Sequence, residues 1–317
     1  MQRYILQRLV VAVVLVLGAA TLVFLLLHAV PGDPVRIFLG DFATEDQIQA
    51  VRHKMGLDRS VPEQYLAWLL GIVTGDLGTS LAQNRPVAGL LLDRLPRTLE
   101  LTLLSILLAL VVGVPLGIGA ALRRGRLPDV LLMLGALGSL SVPVYVSGTV
   151  LVLIFAVGLH WLPGSGYVPF EQDPLRHLSL LVVPCITLAS HLAASLARMT
   201  RSSVLEAIGQ DYVRTARGKG LAETAVLVRH VLRNSLIPIT TTVGVQAGNL
   251  LGGAVIVETI FSWPGLSSLL FRGIETHDYP VVQGCVLLIS ALFILFTLAV
   301  DVINGVTDPR LAAGGQT

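Results

Sequence analysis

The stretch Asp211–Pro238 reads DYVRTARGKGLAETAVLVRHVLRNSLIP and lies between two strongly apolar runs. Arg214, Arg217, Lys219, Arg229 and Arg233 make it basic, which marks a loop on the cytoplasmic side of a membrane. Its apolar residues are not scattered. Val213, Ala216 and Gly220 fall at helical spacing, as do Ala225, Val228, Leu232 and Leu236. The pattern predicts two short helices separated by Gly218-Lys219-Gly220, because glycine takes the left-handed conformation that ends a helix. Pattern alone leaves two uses open: an amphipathic segment resting on the membrane surface, or a docking element for another polypeptide.

The rest of the chain supplies that membrane. Hydrophobic residues make up 54% of the sequence and charged residues 13%, far from soluble averages. The six apolar runs are Leu9–Ala29, Thr98–Leu122, Val130–Leu159, Leu178–Ala197, Ile239–Val257 and Val281–Val302; each is long enough to cross a hydrocarbon core of about 30 Å. Only helices satisfy every backbone group there without closing a barrel. The expected fold class is therefore all-α integral membrane, with about six transmembrane helices. A net charge of +2 is too small to suggest nucleic acid as a partner. Cys185 and Cys285 both fall inside expected spans and read as small buried apolar residues, not as a disulfide.

Taken in order, residues 1–30 form a basic start and a first helix. Its apolar run is longer than a signal-peptide core of about 7–15 residues, so it is expected to be retained. Residues 31–97 are polar and mixed in charge, with helical pieces expected near Glu45–Met55 and Pro62–Ile72; they read as an external subdomain between helices 1 and 2. Residues 98–303 form the membrane core, with a cytoplasmic loop over 198–237, and 304–317 a cytoplasmic tail. Gly113, Pro115, Gly117 and Gly119 in the second span allow a kink or a close helix contact. Gly138, Ser141, Tyr145 and Thr149 make a small or polar stripe in the third span, beside Pro143; Thr242, Gln246, Asn249 and Gly253 make one in the fifth. Such a stripe either packs on a neighbour or lines a water-filled path. His191 in the fourth span is either a neutral packing residue or a functional group, and the external His160, His177 and His277 read as solvated, with no metal site.

The basic stretch resembles the coupling loop of ABC importer permeases, the EAA loop, in the form found in the dipeptide/oligopeptide/nickel branch. The general Glu-Ala-Ala and later Gly fall here on Arg214, Thr215, Ala216 and Gly220, so only the second Ala and the Gly are kept. The branch typically departs in this way. Pro31-Gly32-Asp33-Pro34, Tyr65, Gly75-Asp76-Leu77-Gly78-Thr79-Ser80, Glu258–Gly265 and Asp308-Pro309-Arg310 carry the same resemblance, which covers nearly the whole chain.

The resemblance implies a type I ABC importer permease fold and a function: half of the translocation pathway for short peptides, in a bacterial plasma (inner) membrane, with both termini cytoplasmic. The implied partners are a second, homologous permease subunit, two ABC ATPase subunits, an extracytoplasmic substrate-binding protein and the lipid membrane. Tyr212, Arg214, Thr215, Ala216, Lys219, Gly220 and Leu221 would couple to the ATPase. Gly138, Ser141, Tyr145, Thr242, Gln246 and Asn249 would line the path. No cofactor is expected in this chain; ATP and Mg would be bound by the partner ATPases. Nickel, glutathione or haem remain alternative cargoes.

Two other classes compete. An ion-coupled carrier acting alone usually holds a charge deep in a span, at about 2.5–3.5 kcal/mol on insertion scales. Here Glu100, Arg198, Glu258 and Asp301 sit near span ends. An enzyme would need a nucleophile or metal motif, and neither H-E-x-x-H nor a G-x-x-x-x-G-K-[ST] nucleotide loop occurs.

Overall fold

The computed structural model describes residues 2–29, 34–39, 43–54 and 56–307; the side chains of residues 2–5, 34, 37, 54, 249, 251–253 and 306–307 lie outside that description. Pro31, Gly32, Asp33, Asp41, Met55 and the tail motif Asp308-Pro309-Arg310 also lie outside it.

The regular structure among the described residues is helical. In order come α1 (Gln2–Ala29), α2 (Pro34–Leu39), α3 (Glu45–Lys54), α4 (Val61–Thr74), α5 (Val87–Leu122), α6 (Leu127–Ser141), α7 (Val144–Val152), α8 (Pro174–Ile208), α9 (Asp211–Gly218), α10 (Glu223–Val226), α11 (Arg233–Ile260), α12 (Leu266–Glu275) and α13 (Tyr279–Thr307). Wider π turns continue α7 over Leu153–Gly158 and join α10 to α11 over Leu227–Leu232. By length and composition four helices suit a membrane crossing, within Leu6–Ala29, Val87–Leu122, Pro174–Ile208 and Tyr279–Gly305, and the bent pair Leu127–Ser141 with Val144–Gly158 makes a fifth. The 28-residue α11 occupies the remaining expected span.

Two features go beyond the expectation. The helix that carries the second span starts before Thr98: α5 begins at Val87, so residues 87–97, expected in the external subdomain, are helical and continuous with the span. Asp93, Arg94 and Arg97 interrupt the apolar run there without interrupting the helix. The third span is not one rod: it bends by 102° between Ser141 and Val144. The residue before a proline is driven out of the α region. Val142 (φ −91°, ψ 125°) and Pro143 (φ −57°, ψ 143°) are accordingly extended.

The chain divides into two compact units. One comprises Met1–Leu9, Glu100–Trp263 and Leu295–Thr317. It is built around α8, which packs on α6, α7 and α11. Asp173 caps α8, accepting from the Arg176 amide at 3.0 Å, and Pro174 opens it. Leu181, Cys185, Leu188, Leu192 and Leu196 recur at helical steps and form its buried face, against Leu101, Val257, Phe261 and Trp263. Lipid is as apolar as leucine, so helices in a membrane are held by close packing and hydrogen bonds. Gly113 and Gly117 supply the first: a Cβ on them would lie 2.6 Å from the Ala193 carbonyl and 2.5 Å from that of Ala197. Asp129 supplies the second, at the start of α6: it takes Arg201 Nε at 2.6 Å and Nη2 at 2.8 Å, and the Gly125 amide at 2.9 Å. Arg8 pairs with Asp301 at 3.0 Å.

The other unit comprises Val10–Leu99 and Pro264–Ile294. Its core joins Val87, Leu90 and Leu91 to Leu266, Leu269, Val281 and Cys285. The Thr98 hydroxyl accepts the first amide of α12, from Leu266, at 2.7 Å. Buried Ser80 donates to Asp278 Oδ2 at 2.5 Å, and the Ala82 amide donates to the same oxygen at 3.1 Å. Within residues 34–97, α3 and α4 match the expected pieces closely. Ser60 and Glu63 form a capping box at the start of α4, where the Ser60 amide donates to Glu63 Oε2 at 3.0 Å.

Candidate coupling surface and translocation path

The basic stretch folds into a braced elbow. α9 carries Asp211 in its first turn and Arg217 in its last, each complementing the helix dipole. Val213 (0% exposed) and Ala216 (4%) bury its inner face against Ala121, Val204, Ala207, Val226 and Val231. Tyr212, Arg214, Thr215, Lys219, Gly220 and Leu221 are exposed. The seven residues expected at the coupling surface therefore divide: six face outward, and Ala216 seats the helix on the chain's own core.

Gly220 ends α9 in the left-handed conformation, φ +77°. Its amide donates to the Arg217 carbonyl at 2.9 Å, and the Leu221 amide donates to that of Ala216 at 3.4 Å. That pair of bonds is a Schellman motif, which satisfies carbonyls the helix end would otherwise leave open. The chain then re-enters a helix at Glu223. Arg217 reaches across the turn to Glu223, Nε to Oε1 at 2.8 Å and Nη2 to Oε2 at 3.1 Å. Arg214 lies 3.5 Å from Asp211, with both side chains open to solvent.

The second arm is not the separate short helix that the sequence pattern suggests. α10, the π turn and α11 run continuously from Glu223 to Ile260, through Pro238. The buried positions are Val226, Val231, Ser235 and Ile239, with a first step of five where the π turn widens the helix. Val228 and Leu236, expected on the inner face, are exposed instead.

The expected path residues fall on three elements of the same unit. Gly138 and Ser141 lie on α6 and Tyr145 on α7, all exposed, with the 102° bend between them. They are thus two short exposed faces and not one continuous stripe. Thr242 donates its hydroxyl to the Pro238 carbonyl of α11 at 2.8 Å, and Gln246 is half-buried on the same helix. Asn249 belongs to α11, but its side chain lies outside the described residues. His191 is half-buried on α8, and its Nδ1 meets no hydrogen-bond partner among the described residues.

Two clusters escaped the sequence reading. His177 is buried and not solvated: Nδ1 donates to the Val168 carbonyl at 2.7 Å, and Nε2 meets Glu100 Oε1 at 2.9 Å. The edges of Tyr167, Phe170 and Trp263 enclose its ring, with centroids 5.0–5.8 Å apart, Tyr167 to Trp263 included. Asn304 of α13 joins α11 by hydrogen bonds with Thr240 and, at 3.0 Å, with the Thr241 hydroxyl. Partners this far apart in the chain leave no local pattern.

Comparison with known proteins gives the arrangement a lineage. Residues 113–313 match the family described as binding-protein-dependent transport system inner membrane component, and residues 1–102 match the N-terminal component of such membrane proteins. The glutathione transport system permease protein GsiC of Salmonella typhimurium is 41% identical over 311 residues, covering 98% of this chain and 99% of that one. GsiC of Escherichia coli strain K12 is 40% identical over the same length and coverage. Two inward-facing structures of the MetNI methionine ABC transporter share the fold, with TM-scores of 0.53 and 0.56 at 16% and 17% identity, over 69% of this chain and 96% of theirs. The chain belongs to the binding-protein-dependent transport system inner membrane component family and is a permease subunit of an ABC importer, of the peptide and nickel branch.

Proposed function

We propose that this chain forms half of a translocation pathway for short peptides, with glutathione, a modified tripeptide, as the first cargo to test. Identity of about 40% along its full length with glutathione permeases carries the reading. Nickel chelates and haem are the competing cargoes. A second, similar permease completes the pathway, two ATPases bind ATP and Mg on the cytoplasmic side, and a binding protein delivers cargo from outside. Both termini face the cytoplasm, in keeping with the basic residues of the N-terminus, the Arg123–Arg126 turn and the elbow.

The elbow suits the role of a lever. Val213 and Ala216 fix α9 to the core, the Gly220 motif and the Arg217–Glu223 pair set the angle, and the second arm continues directly into α11. A push on the exposed side chains would travel along one continuous helix to Thr242 and Gln246. The chain needs no nucleotide site of its own for this.

Reconstitution tests it. The permease pair, the ATPases and the cognate binding protein are placed in proteoliposomes, and ATP-dependent uptake of glutathione, a neutral tripeptide and a nickel chelate is compared. Peptide uptake that stops without ATP is expected. Uptake of the nickel chelate alone would overturn the cargo, and transport by this chain without ATPases would overturn the mechanism.

A further inference from the structure

The region expected to lie wholly outside the membrane contains a helix that does not fit water. α4 has a single charged residue, Glu63, in its first turn; the rest of its 14 residues are apolar or uncharged. One face rests on α1. Tyr65 shares a 2.7 Å hydrogen bond with Thr21, and its ring meets the edge of Phe24. Trp68 stacks on Phe24 at 5.7 Å, and Gln64 Oε1 meets His28 Nε2 at 3.1 Å. The opposite face carries Leu66 (59% exposed), Leu70 (67%) and Val73 (85%), spaced four and three residues apart. A surface helix in water places polar residues there; a helix apolar all round needs apolar surroundings on every side.

The contacts with α1 fix the depth. α1 is apolar from Leu9 to Ala29, and Thr21 lies eight residues before that end, about 12 Å at ~1.5 Å per residue. If α1 spans the membrane over that run, Tyr65 meets it well below the outer boundary of the hydrocarbon. The exposed α4 face is of one chemistry with the exposed Leu22, Leu25 and Leu26 of α1. At ~1.5 Å per residue, α4 reaches about 21 Å and cannot cross a core of about 30 Å.

We infer that α4 is embedded in the outer leaflet, with Leu66, Leu70 and Val73 among lipid acyl chains, so that the external subdomain is anchored to the bilayer and does not stand free in water.

The test uses the complete transporter in liposomes. Cys185 and Cys285 are replaced by alanine, single spin labels are placed at Leu70→Cys, Val73→Cys or Glu63→Cys, and retained ATP-dependent transport certifies each variant as folded. Collision rates with oxygen, which concentrates in lipid, and with a water-soluble nickel chelate are compared. Labels at 70 and 73 are expected to favour oxygen several-fold, and the label at 63 the chelate. Chelate access at 70 and 73 would overturn the inference, whether or not the binding protein later removes it. Shielding from both quenchers would also overturn it, because the face would then be covered by protein.

Discussion

Arg217 and Glu223 close a two-pronged ion pair over the Gly220 turn, at 2.8 and 3.1 Å. The carboxylate hydrogen bond raises the guanidinium's basicity above its already high value, so the arginine stays charged at any physiological pH. Both groups are substantially exposed, where ion pairs contribute little to stability. The pair's work is geometric: it holds the last turn of α9 against the first turn of α10.

Glu223→Ala is therefore expected to insert and melt like the parent protein while ATP-driven uptake falls several-fold. Reversing both charges, Arg217→Glu with Glu223→Arg, should recover most of the loss. Uptake and thermal midpoint are measured on the same preparations. An alanine variant with full uptake would remove the brace from the mechanism.

Gly220 separates backbone strain from steric clash. A Cβ there would meet nothing within 4 Å, but φ is +77°. The left-handed region costs an ordinary L residue roughly 1–2 kcal/mol, and asparagine less. Gly220→Leu is expected to lose most substrate-stimulated ATP hydrolysis, and Gly220→Asn to keep most of it. Gly218→Ala, with equal space and no positive φ, should change neither. Equal activity in the leucine and asparagine variants would show that the left-handed turn is not needed.

How far the sequence speaks follows from the range of each interaction. Gly220 was legible because a left-handed helix end is written locally, in one residue type between two periodic segments. The inner face of the second arm was not. A period of 3.6 selects Val228 and Leu236, whereas the π turn over Leu227–Leu232 shifts burial to Val226 and Val231. Pro143 was visible, but its effect on direction, 102° and not a slight kink, depends on what the two limbs pack against. The start of α5 was hidden because hydropathy reports the solvent and not the helix: Asp93, Arg94 and Arg97 end an apolar run but not a hydrogen-bonded ladder. His177 was misread for want of local signal, since Glu100 lies 77 residues away.

Gly113, Gly117 and Gly119 looked alike in sequence, and the structure distinguishes them. At Gly117 a Cβ would lie 2.5 Å from the Ala197 carbonyl and 2.6 Å from Thr200 Cβ, so α5 and α8 would have to part. Overpacking of this kind costs about 1–3 kcal/mol. At Gly119 the nearest atom is the mobile end of Arg123, at 3.6 Å. Gly117→Ala should lower the thermal midpoint in detergent and the yield of assembled complex; Gly119→Ala should leave both unchanged. Matching midpoints for the two variants would contradict the close crossing.

His177→Ala removes a ring from among three aromatic edges and leaves the Val168 carbonyl and the Glu100 carboxylate without their partner. Two part-buried hydrogen bonds, one of them to a carboxylate, together contribute about 1–3 kcal/mol, which corresponds to a fall of several degrees at about 2–4 °C per kcal/mol. His177→Gln retains one amide donor and should fall less. Melting of the alanine variant at the parent temperature would return His177 to the class of surface residues.

The path assignment rests on Ser141, Tyr145 and Gln246, and packing makes the opposite prediction for the same residues. The Ser141 hydroxyl is engaged by its own helix, donating to the Leu137 carbonyl at 2.8 Å, while its surface and that of Tyr145 stay open. Open surface in a membrane faces lipid, a protein neighbour or water. A thiol reacts with a charged methanethiosulfonate only in water, because only the thiolate attacks and only water admits the reagent. In the assembled transporter, cysteines at 141, 145 and 246 are therefore expected to react in at least one nucleotide state, with rates that change several-fold when ATP is added and locked by a hydrolysis inhibitor. Exposed leucines on the apolar α1, such as Leu22 and Leu25, should stay inert in every state when replaced by cysteine, as lipid contact there requires. Position-independent protection at 141, 145 and 246 would reassign these faces to packing or lipid. Reaction rates indifferent to nucleotide would leave a wet cavity there but disconnect it from the lever that ends at Gly220.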